Sequence, residues 1–321
     1  MKTKIVIFSC VTVAVVVGCF LAVYLSPMRV GSDNESVGKA SSSSLFKNTY
    51  SGQSTKQVSR QDPLQTVQKS SSEVNSLFLE DFFLDYTIKE VGSVNKSAST
   101  DWWVSSGGYF YSANGTGRTI KGSLPSTDPW RVAYSISNQL DTDNGYYPQN
   151  IFRLIEKGQW KNFQQEMYFK ILNNNFSGSP NRNASNGILL FNRYQDEFNL
   201  YYTGIRVDGY AVIKKKIKGV YYTLAYSTVY PALPYERVSN QNAIPIYQWI
   251  GLRSVIQTGP DGTVSIKVYI DKNKTGNWVL VAEGKDDGKS YGGSAITNAG
   301  YAGIRTDFMD VEFDNYNIES I

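Results

Sequence analysis

The sequence contains no histidine. This absence excludes a Ser-His-Asp triad, a histidine general base and the usual histidine-containing zinc sites, because each of them needs an imidazole. Any catalysis by this chain would therefore depend on carboxylates, tyrosine, lysine or arginine.

Cysteine is almost as scarce, since the chain has only Cys10 and Cys19. The residues after them therefore lack a disulfide framework, a cysteine nucleophile and a cysteine-rich zinc site. Excess charge of one sign is also missing, because 32 Lys and Arg stand against 28 Asp and Glu, a net charge of +4. That charge is too small to indicate nucleic acid binding, and no basic track interleaved with aromatic residues accompanies it.

An uncharged apolar run extends over residues 5–25, after Lys2 and Lys4. Its length matches the ~20 residues needed to span a bilayer, and the two lysines favour a cytoplasmic N-terminus. We therefore predict a signal anchor over residues 1–25, with the remainder of the chain on the extracytoplasmic side. A lipoprotein is the alternative, because the segment ending at Cys19 loosely resembles a lipobox and would make Cys19 a lipidated N-terminus.

The next segment, residues 26–75, is polar and rich in serine, which is typical of a flexible linker. The remainder, residues 76–321, consists of short alternating segments with turn signals between them, such as Asp208-Gly209. It contains about a dozen strand-like segments and no amphipathic helix of any length. We therefore predict one all-β domain, an antiparallel two-sheet jelly-roll sandwich.

Five segments of this domain carry a resemblance to a known family. They are LFLEDFF (77–83), SSGGYF (105–110), NGILLFNRY (186–194), IPIYQWIGLRS (244–254) and GYAGIRTDFMDVEFDNYNI (300–318). With them, the chain from 77 to 321 resembles the concanavalin A-like lectin/glucanase jelly rolls, in particular the laminin-G-like and 3-keto-disaccharide hydrolase domains. The resemblance implies a curved sandwich that binds saccharide on its concave face. It also implies a structural calcium that bridges the first and last strands.

In the resembling domains the calcium joins an aspartate of the closing strand, here Asp314, to an acid of the opening strand, here Asp81 or Glu80. Asp314 belongs to the segment DVEFD, in which Asp310 and Glu312 alternate with it and would share one face of a strand. Three interpretations stay open for this face: glycosidase carboxylates, calcium ligands or solvated side chains.

The family-16 laminarinase-type glycosidases carry Glu-x-Asp-x-Glu on one strand and need two carboxyls about 5–5.5 Å apart. In this chain the acids are swapped, and the strand lies at the end of the sequence. We therefore predict that this domain has no catalytic residue. If the domain is a hydrolase instead, Glu166 and Glu312 are the candidate catalytic carboxylates.

Candidate ligand-binding residues project from strands whose alternate positions are apolar. They are Glu166, Tyr168, Lys170, Arg193, Tyr202, Arg253 and Tyr269. Arginine binds carboxylates in a bidentate manner and aromatic rings stack on sugar faces, so such residues on one face would suit an acidic polysaccharide. The chain also has 23 tyrosines, several of them in adjacent pairs that would place one ring on each face of a strand.

The sequence thus predicts a membrane-tethered extracellular carbohydrate-binding domain, with a glycan and a membrane, but not nucleic acid, as its partners. One alternative is a polysaccharide-degrading enzyme: a glycoside hydrolase, or a lyase in which a tyrosine abstracts a proton while arginine or lysine neutralises a uronate. Another is a surface adhesion or protein-interaction module. Two converging carboxyls or a Tyr–Arg pair would indicate the enzyme, and a flat patch would indicate adhesion.

Overall fold

The computed structural model describes residues 77–231 and 234–321. The predicted membrane segment at 5–25 and the predicted linker at 26–75 lie outside these residues. Within the described part of the chain, no helix is both long enough and apolar enough to cross a bilayer.

Sixteen strands form in the described residues. The first eight are β1 (Leu77–Glu80), β2 (Tyr86–Lys89), β3 (Trp102–Ser106), β4 (Tyr109–Ala113), β5 (Thr116–Arg118), β6 (Ile151–Trp160), β7 (Phe163–Asn174) and β8 (Gly187–Asp196). The next eight are β9 (Asn199–Arg206), β10 (Tyr210–Ile217), β11 (Val220–Thr228), β12 (Ile250–Thr258), β13 (Val264–Lys272), β14 (Val279–Asp286), β15 (Gly300–Asp307) and β16 (Met309–Ser320). The connection from β2 to β3 contains a 3-10 turn at Val94–Lys96. The connection from β5 to β6 contains two α-helices, α1 (Pro129–Ser137) and α2 (Gln139–Thr142), followed by a 3-10 turn at Pro148–Asn150.

The strands pair into two antiparallel sheets. The nine-stranded sheet has the order β14-β13-β12-β7-β16-β5-β4-β2, and β1 pairs with β16. The seven-stranded sheet has the order β11-β10-β9-β8-β15-β6-β3. The two-sheet antiparallel architecture predicted from the sequence is therefore confirmed.

The core lies between the two sheets and takes alternate residues from their strands. Strand β7 contributes Met167 and Phe169, which are fully buried, while its intervening residues point away from the core. Strand β15 contributes Ala302 and Ile304 from the opposite sheet. This period-two alternation leaves one outward-facing row of side chains on every strand, so each sheet presents a separate outer face.

The prediction that the domain has no amphipathic helix of any length is wrong at α1. This helix begins at Asp128, whose side chain accepts hydrogen bonds from the backbone N–H groups of Trp130 and Arg131, and Pro129 occupies the first turn. The helix buries only Tyr134 and leaves Ile136 71% exposed. The helix is only nine residues long and buries a single side chain, so too few apolar positions repeat for the sequence pattern to separate it from the strand-like segments.

Candidate functional site

Five of the seven predicted ligand-binding residues lie together on the outer face of the nine-stranded sheet. We call this outer face, formed by β7, β12, β13 and β16, the paired face. Strand β7 contributes Glu166, Tyr168 and Lys170 to it. Arg253 of β12 is in register with Glu166 on one side and with Tyr269 of β13 on the other.

Oppositely charged side chains match each other across the paired face. Arg253 forms an ion pair with Glu166, and Lys170 Nζ lies 2.5 Å from Glu312 Oε2. A third carboxylate, that of Asp314, is paired with Lys274. Both carboxylates of the hydrolase alternative, Glu166 and Glu312, are thus already engaged by cations.

Aromatic rings cover part of the same face. Lys170 Nζ lies 4.6 Å from the centre of the Trp249 ring, and the Arg253 guanidinium lies 4.1 Å from that of Trp278. The Trp278 ring in turn packs against Tyr168, with centroids 5.6 Å apart. Burial, together with the hydrogen bond to Asp271, raises the pKa of Tyr168 to about 12, so this phenol stays protonated. The paired face therefore consists of ion pairs, in which positive and negative side chains match each other, and of aromatic rings packed against them.

Asp310 does not share the environment of Glu312 and Asp314. It is buried, and its carboxylate accepts hydrogen bonds from Gly122 N at 2.7 Å, Gln149 Nε2 at 2.9 Å and Asn175 Nδ2 at 2.8 Å. A carboxylate held by three donors fixes the loop that follows β5 and the segment that follows β7. The three acids of DVEFD thus have separate roles, one as a buried loop anchor and two in ion pairs.

The described residues do not fit the predicted calcium site. Asp314 is paired with the ammonium of Lys274, and Asp81 Oδ1 accepts a hydrogen bond from Phe83 N at 3.0 Å. The carboxylate of Glu80 accepts hydrogen bonds from Phe82 N and from the Tyr86 hydroxyl, both close to it in the sequence. No group of three or more Asp, Glu, His or Cys in the described part of the chain is arranged to hold a metal ion. Calcium needs six to eight oxygen ligands, so two separated carboxylates are insufficient.

Arg193 was predicted to bind a ligand, but it does not reach the surface of the protein. It is fully buried, at a position in β8 with a φ of 51°. Its guanidinium donates to the carbonyls of Lys161 at 2.6 Å and Ile296 at 2.8 Å, and to Asn162 Oδ1 at 3.1 Å. Burial lowers the pKa of Arg193 to about 10, which leaves it charged at neutral pH. Its donors hold three chain segments together.

Tyr202, the last of the seven, lies on the other sheet. Adjacent Tyr201 points into the core, so this pair does place one ring on each face of β9. Tyr202 is only 4% exposed although it points outward, because it belongs to a second apolar cluster outside the core. That cluster is formed by Ile155, Leu189, Phe191, Tyr194, Leu200, Tyr202 and Val212, with Trp103 and Tyr301 packed against it.

We call the outer face of the seven-stranded sheet the tyrosine–arginine face. At its centre, Tyr202 stacks on Tyr221 of β11 with centroids 5.9 Å apart, and Arg305 of β15 donates to the Tyr202 hydroxyl over 3.2 Å. Arg305 Nε also donates to Asp307 Oδ1 over 2.8 Å. Arg153 of β6 is in register with Arg305, so the two guanidinium groups share this face.

The two stacked tyrosines have different acidities. Burial raises the pKa of Tyr202 well above its ordinary value, against the opposing charge of Arg305. Burial acts in the same direction on Tyr221, but the positive charges of Arg305 and Lys216 outweigh it and lower the pKa of Tyr221 to about 8. Three cations, Arg305, Arg153 and Lys216, lie on this part of the face, and Arg305 is paired with the carboxylate of Asp307.

Sequence reasoning missed Tyr221, Arg305 and Arg153. In the sequence Tyr221 is one of an adjacent pair of tyrosines, and Arg305 lies within the segment GYAGIRTDFMDVEFDNYNI. The signal that would identify them is the register of the seven-stranded sheet, which joins β6, β9, β11 and β15 from distant parts of the chain. Non-local pairing of this kind cannot be deduced from local alternation.

Several solved structures are similar to the fold. The carbohydrate-binding module CBM66 from Bacillus subtilis aligns with a TM-score of 0.37 and 17% identity over 53% of this chain and 82% of its own. The Ca²⁺-bound exoplasmic/lumenal domain of VIP36 aligns with a TM-score of 0.37 and 11% identity over 76% of this chain and 92% of its own. The GH43 protein BlXynB from Bacillus licheniformis aligns with a TM-score of 0.38 and 13% identity over 76% of this chain, which spans 39% of that protein.

These neighbours are folds of the lectin and glucanase type, the class that the sequence resembles. At such TM-scores they indicate neither a ligand nor an activity for this chain. No family model matches the sequence, and no curated protein matches it.

Proposed function

We propose that the domain binds an acidic polysaccharide on the tyrosine–arginine face, as part of a membrane-tethered extracellular protein. The observation that carries the proposal is the convergence of Arg305, Arg153 and the exposed Tyr221 over the buried ring of Tyr202. Guanidinium groups bind carboxylates strongly, and phenol rings offer both a stacking surface and a hydrogen-bond donor to a sugar.

The apolar cluster beneath these groups supports the same proposal. Phe191 packs against both Tyr194 and Tyr202, with centroids 5.3 Å and 5.5 Å away. Rings locked in this way hold their hydroxyls in fixed positions, which lowers the entropy lost when a ligand binds. On the paired face the arginine and lysines neutralise carboxylates. On the tyrosine–arginine face Arg305 is likewise paired with Asp307, so the excess positive charge there is that of Arg153 and Lys216.

A second candidate function is a polysaccharide lyase, and the pair Tyr202 and Tyr221 favours it. Positive charge lowers the pKa of Tyr221 to about 8, which makes its phenolate available as a base near neutral pH. In that case Tyr221, stacked on Tyr202, would remove the proton next to a uronate carboxylate and return it to the leaving oxygen, while Arg305 would neutralise the carboxylate. Binding and elimination need the same recognition of an acidic sugar, so they differ only in whether product forms.

The test is a glycan array on the full chain, with acidic and neutral polysaccharides side by side, followed by an assay for unsaturated sugar ends. Binding to acidic glycans without new unsaturated ends supports a carbohydrate-binding domain. New unsaturated ends that disappear in the Tyr221→Phe variant support the lyase. Preference for neutral glycans, or no binding to any glycan, overturns the proposal and leaves the adhesion alternative.

A further inference from the structure

Lys215 and Asp286 form an ion pair that is completely buried between the two sheets. Lys215 Nζ lies 2.8 Å from Asp286 Oδ2, and both side chains are 0% exposed. Lys215 belongs to β10 of the seven-stranded sheet and Asp286 to β14 of the nine-stranded sheet. Burying two full charges is costly, and an apolar pair of similar size would often be as stable, so the arrangement calls for a chemical explanation.

The neighbours of the pair are arranged around the carboxyl group of Asp286. Gly288 N donates to Oδ1 over 3.0 Å, while the Tyr201 hydroxyl donates to Oδ2 over 2.5 Å. The position of that hydroxyl is fixed, because it also accepts from Ile296 N at 3.0 Å. One carboxyl oxygen is therefore held by a backbone donor, and the other faces both a phenol and the lysine.

We propose that Lys215 and Asp286 become joined by an intramolecular amide bond that covalently links the two sheets. One proton passes from the ammonium to Oδ2, and the resulting amine nitrogen attacks Cγ. The Nζ–Cγ bond forms, the Cγ–Oδ2 bond breaks, and Oδ2 leaves as water with a second proton from the nitrogen. The atoms and charges balance without an oxidant or any other reactant.

The same neighbours suit the steps of this reaction. Gly288 N lies where it would stabilise negative charge on Oδ1 when the amine attacks, as oxyanion donors do in acyl transfer. Tyr201 is a positioning residue for the leaving oxygen, and it remains a proton donor because burial and the hydrogen bond to Asp286 raise its pKa well above its ordinary value. Two groups held in contact react with an effective concentration on the order of 10⁵–10⁸ M, and a dry site disfavours the reverse hydrolysis.

The test is mass spectrometry of the full chain after proteolysis. We expect a branched peptide in which the Lys215 and Asp286 segments are joined with the loss of one water, and no tryptic cleavage after Lys215. Recovery of both segments as separate, unmodified peptides overturns the proposal and leaves an ordinary buried ion pair. Because this measurement uses the unaltered protein, it does not depend on the folding of any variant.

Two variants sharpen the result. Lys215→Arg keeps the charge but removes the amine, so the branched peptide should be absent from it. Tyr201→Phe keeps the ring and removes the hydroxyl, so the joined fraction at a fixed time after synthesis should fall severalfold. A branched peptide that persists in Lys215→Arg would place the link on another residue and contradict the proposal.

Discussion

Arg305 donates from Nη1 to the hydroxyl of Tyr202 over 3.2 Å and from Nε to Asp307 over 2.8 Å. The guanidinium is thus fixed in orientation before any ligand arrives, and its plane lies beside the stacked rings of Tyr202 and Tyr221. A fixed cation beside two phenols is the central feature of the tyrosine–arginine face, and it determines how the face should respond to pH.

Binding of an acidic glycan should weaken as the pH rises through about 8, the pKa of Tyr221. Below this value the phenol is a neutral hydrogen-bond donor. Above it the phenolate would repel a uronate and would compete for the charge of Arg305 and Lys216. Titration calorimetry with an oligouronate, one pH unit below and one above that value, measures the effect. The Tyr221→Phe variant is the control and should lose this pH dependence, and equal dependence in both proteins would contradict the assignment.

Glu90 should make the fold less stable as the pH rises. Its carboxyl accepts hydrogen bonds from Tyr134 at 2.7 Å and from Gly108 N at 2.8 Å. Burial outweighs these hydrogen bonds and raises the pKa of Glu90 from 4.5 to about 7. A folded pKa above the unfolded one means that the folded state binds this proton more tightly. The stabilisation is therefore present below the unfolded pKa and is lost as the pH rises through the folded pKa.

The comparison for Glu90 is with Glu90→Gln, which keeps the shape of the side chain and cannot titrate in this range. As the pH rises from 4.5 to about 7, the free energy of unfolding of the unaltered protein should fall relative to that of the variant by up to ~3 kcal/mol. Urea unfolding of both proteins across this range measures the shift. Parallel pH profiles for the two proteins would show that Glu90 does not titrate in this way.

Arg193→Met should destabilise the domain without changing the affinity for a glycan. The substitution removes three hydrogen bonds and leaves the buried carbonyl of Ile296 without its donor, while Asn162 Oδ1 still accepts from Thr258 N at 3.0 Å. A buried group left without a partner costs about 1–3 kcal/mol, so we expect a loss of about 1–3 kcal/mol. Denaturant midpoints measure the loss, and binding is measured on the folded fraction at low temperature. An unchanged midpoint together with lost binding would instead support the original prediction that Arg193 contacts the ligand.

Glu312→Gln should have a small effect on stability and none on glycan binding. The ion pair with Lys170 is partly exposed, at 23% and 21% for the two side chains, and such pairs contribute about 0–1 kcal/mol. Thermal unfolding and glycan titration measure the two effects. Loss of an enzymatic product in this variant would return Glu312 to the role of catalytic carboxylate.

Local alternation in the sequence predicted the sandwich and most of the paired face. Glu166, Tyr168 and Lys170 lie on one strand, so their shared face follows from spacing alone. Their role could not be predicted in the same way, because Arg253 and Glu312 neutralise two of them only after distant strands pair. The tyrosine–arginine face depends even more on such pairing.

Spacing also cannot distinguish a solvated cation from a buried one. Lys215 is the middle residue of a lysine triplet, and alternation places it on the opposite face from its two neighbours. That this face is the core follows only from the packing of β10 against β14, which brings Asp286 to it. Arg193 illustrates the same limit, since its partners come from two other segments of the chain.

The most direct test of binding on the tyrosine–arginine face compares the same substitution on the two outer faces, by titrating an oligouronate into Arg153→Met and into Arg253→Met. A charge-assisted hydrogen bond is worth about 1.5–3 kcal/mol, so Arg153→Met should weaken binding about tenfold or more. Arg253→Met on the paired face should leave the affinity within about twofold, since its guanidinium already neutralises Glu166. Unchanged affinity in Arg153→Met, with a tenfold loss in Arg253→Met, would place the ligand on the paired face and contradict binding on the tyrosine–arginine face.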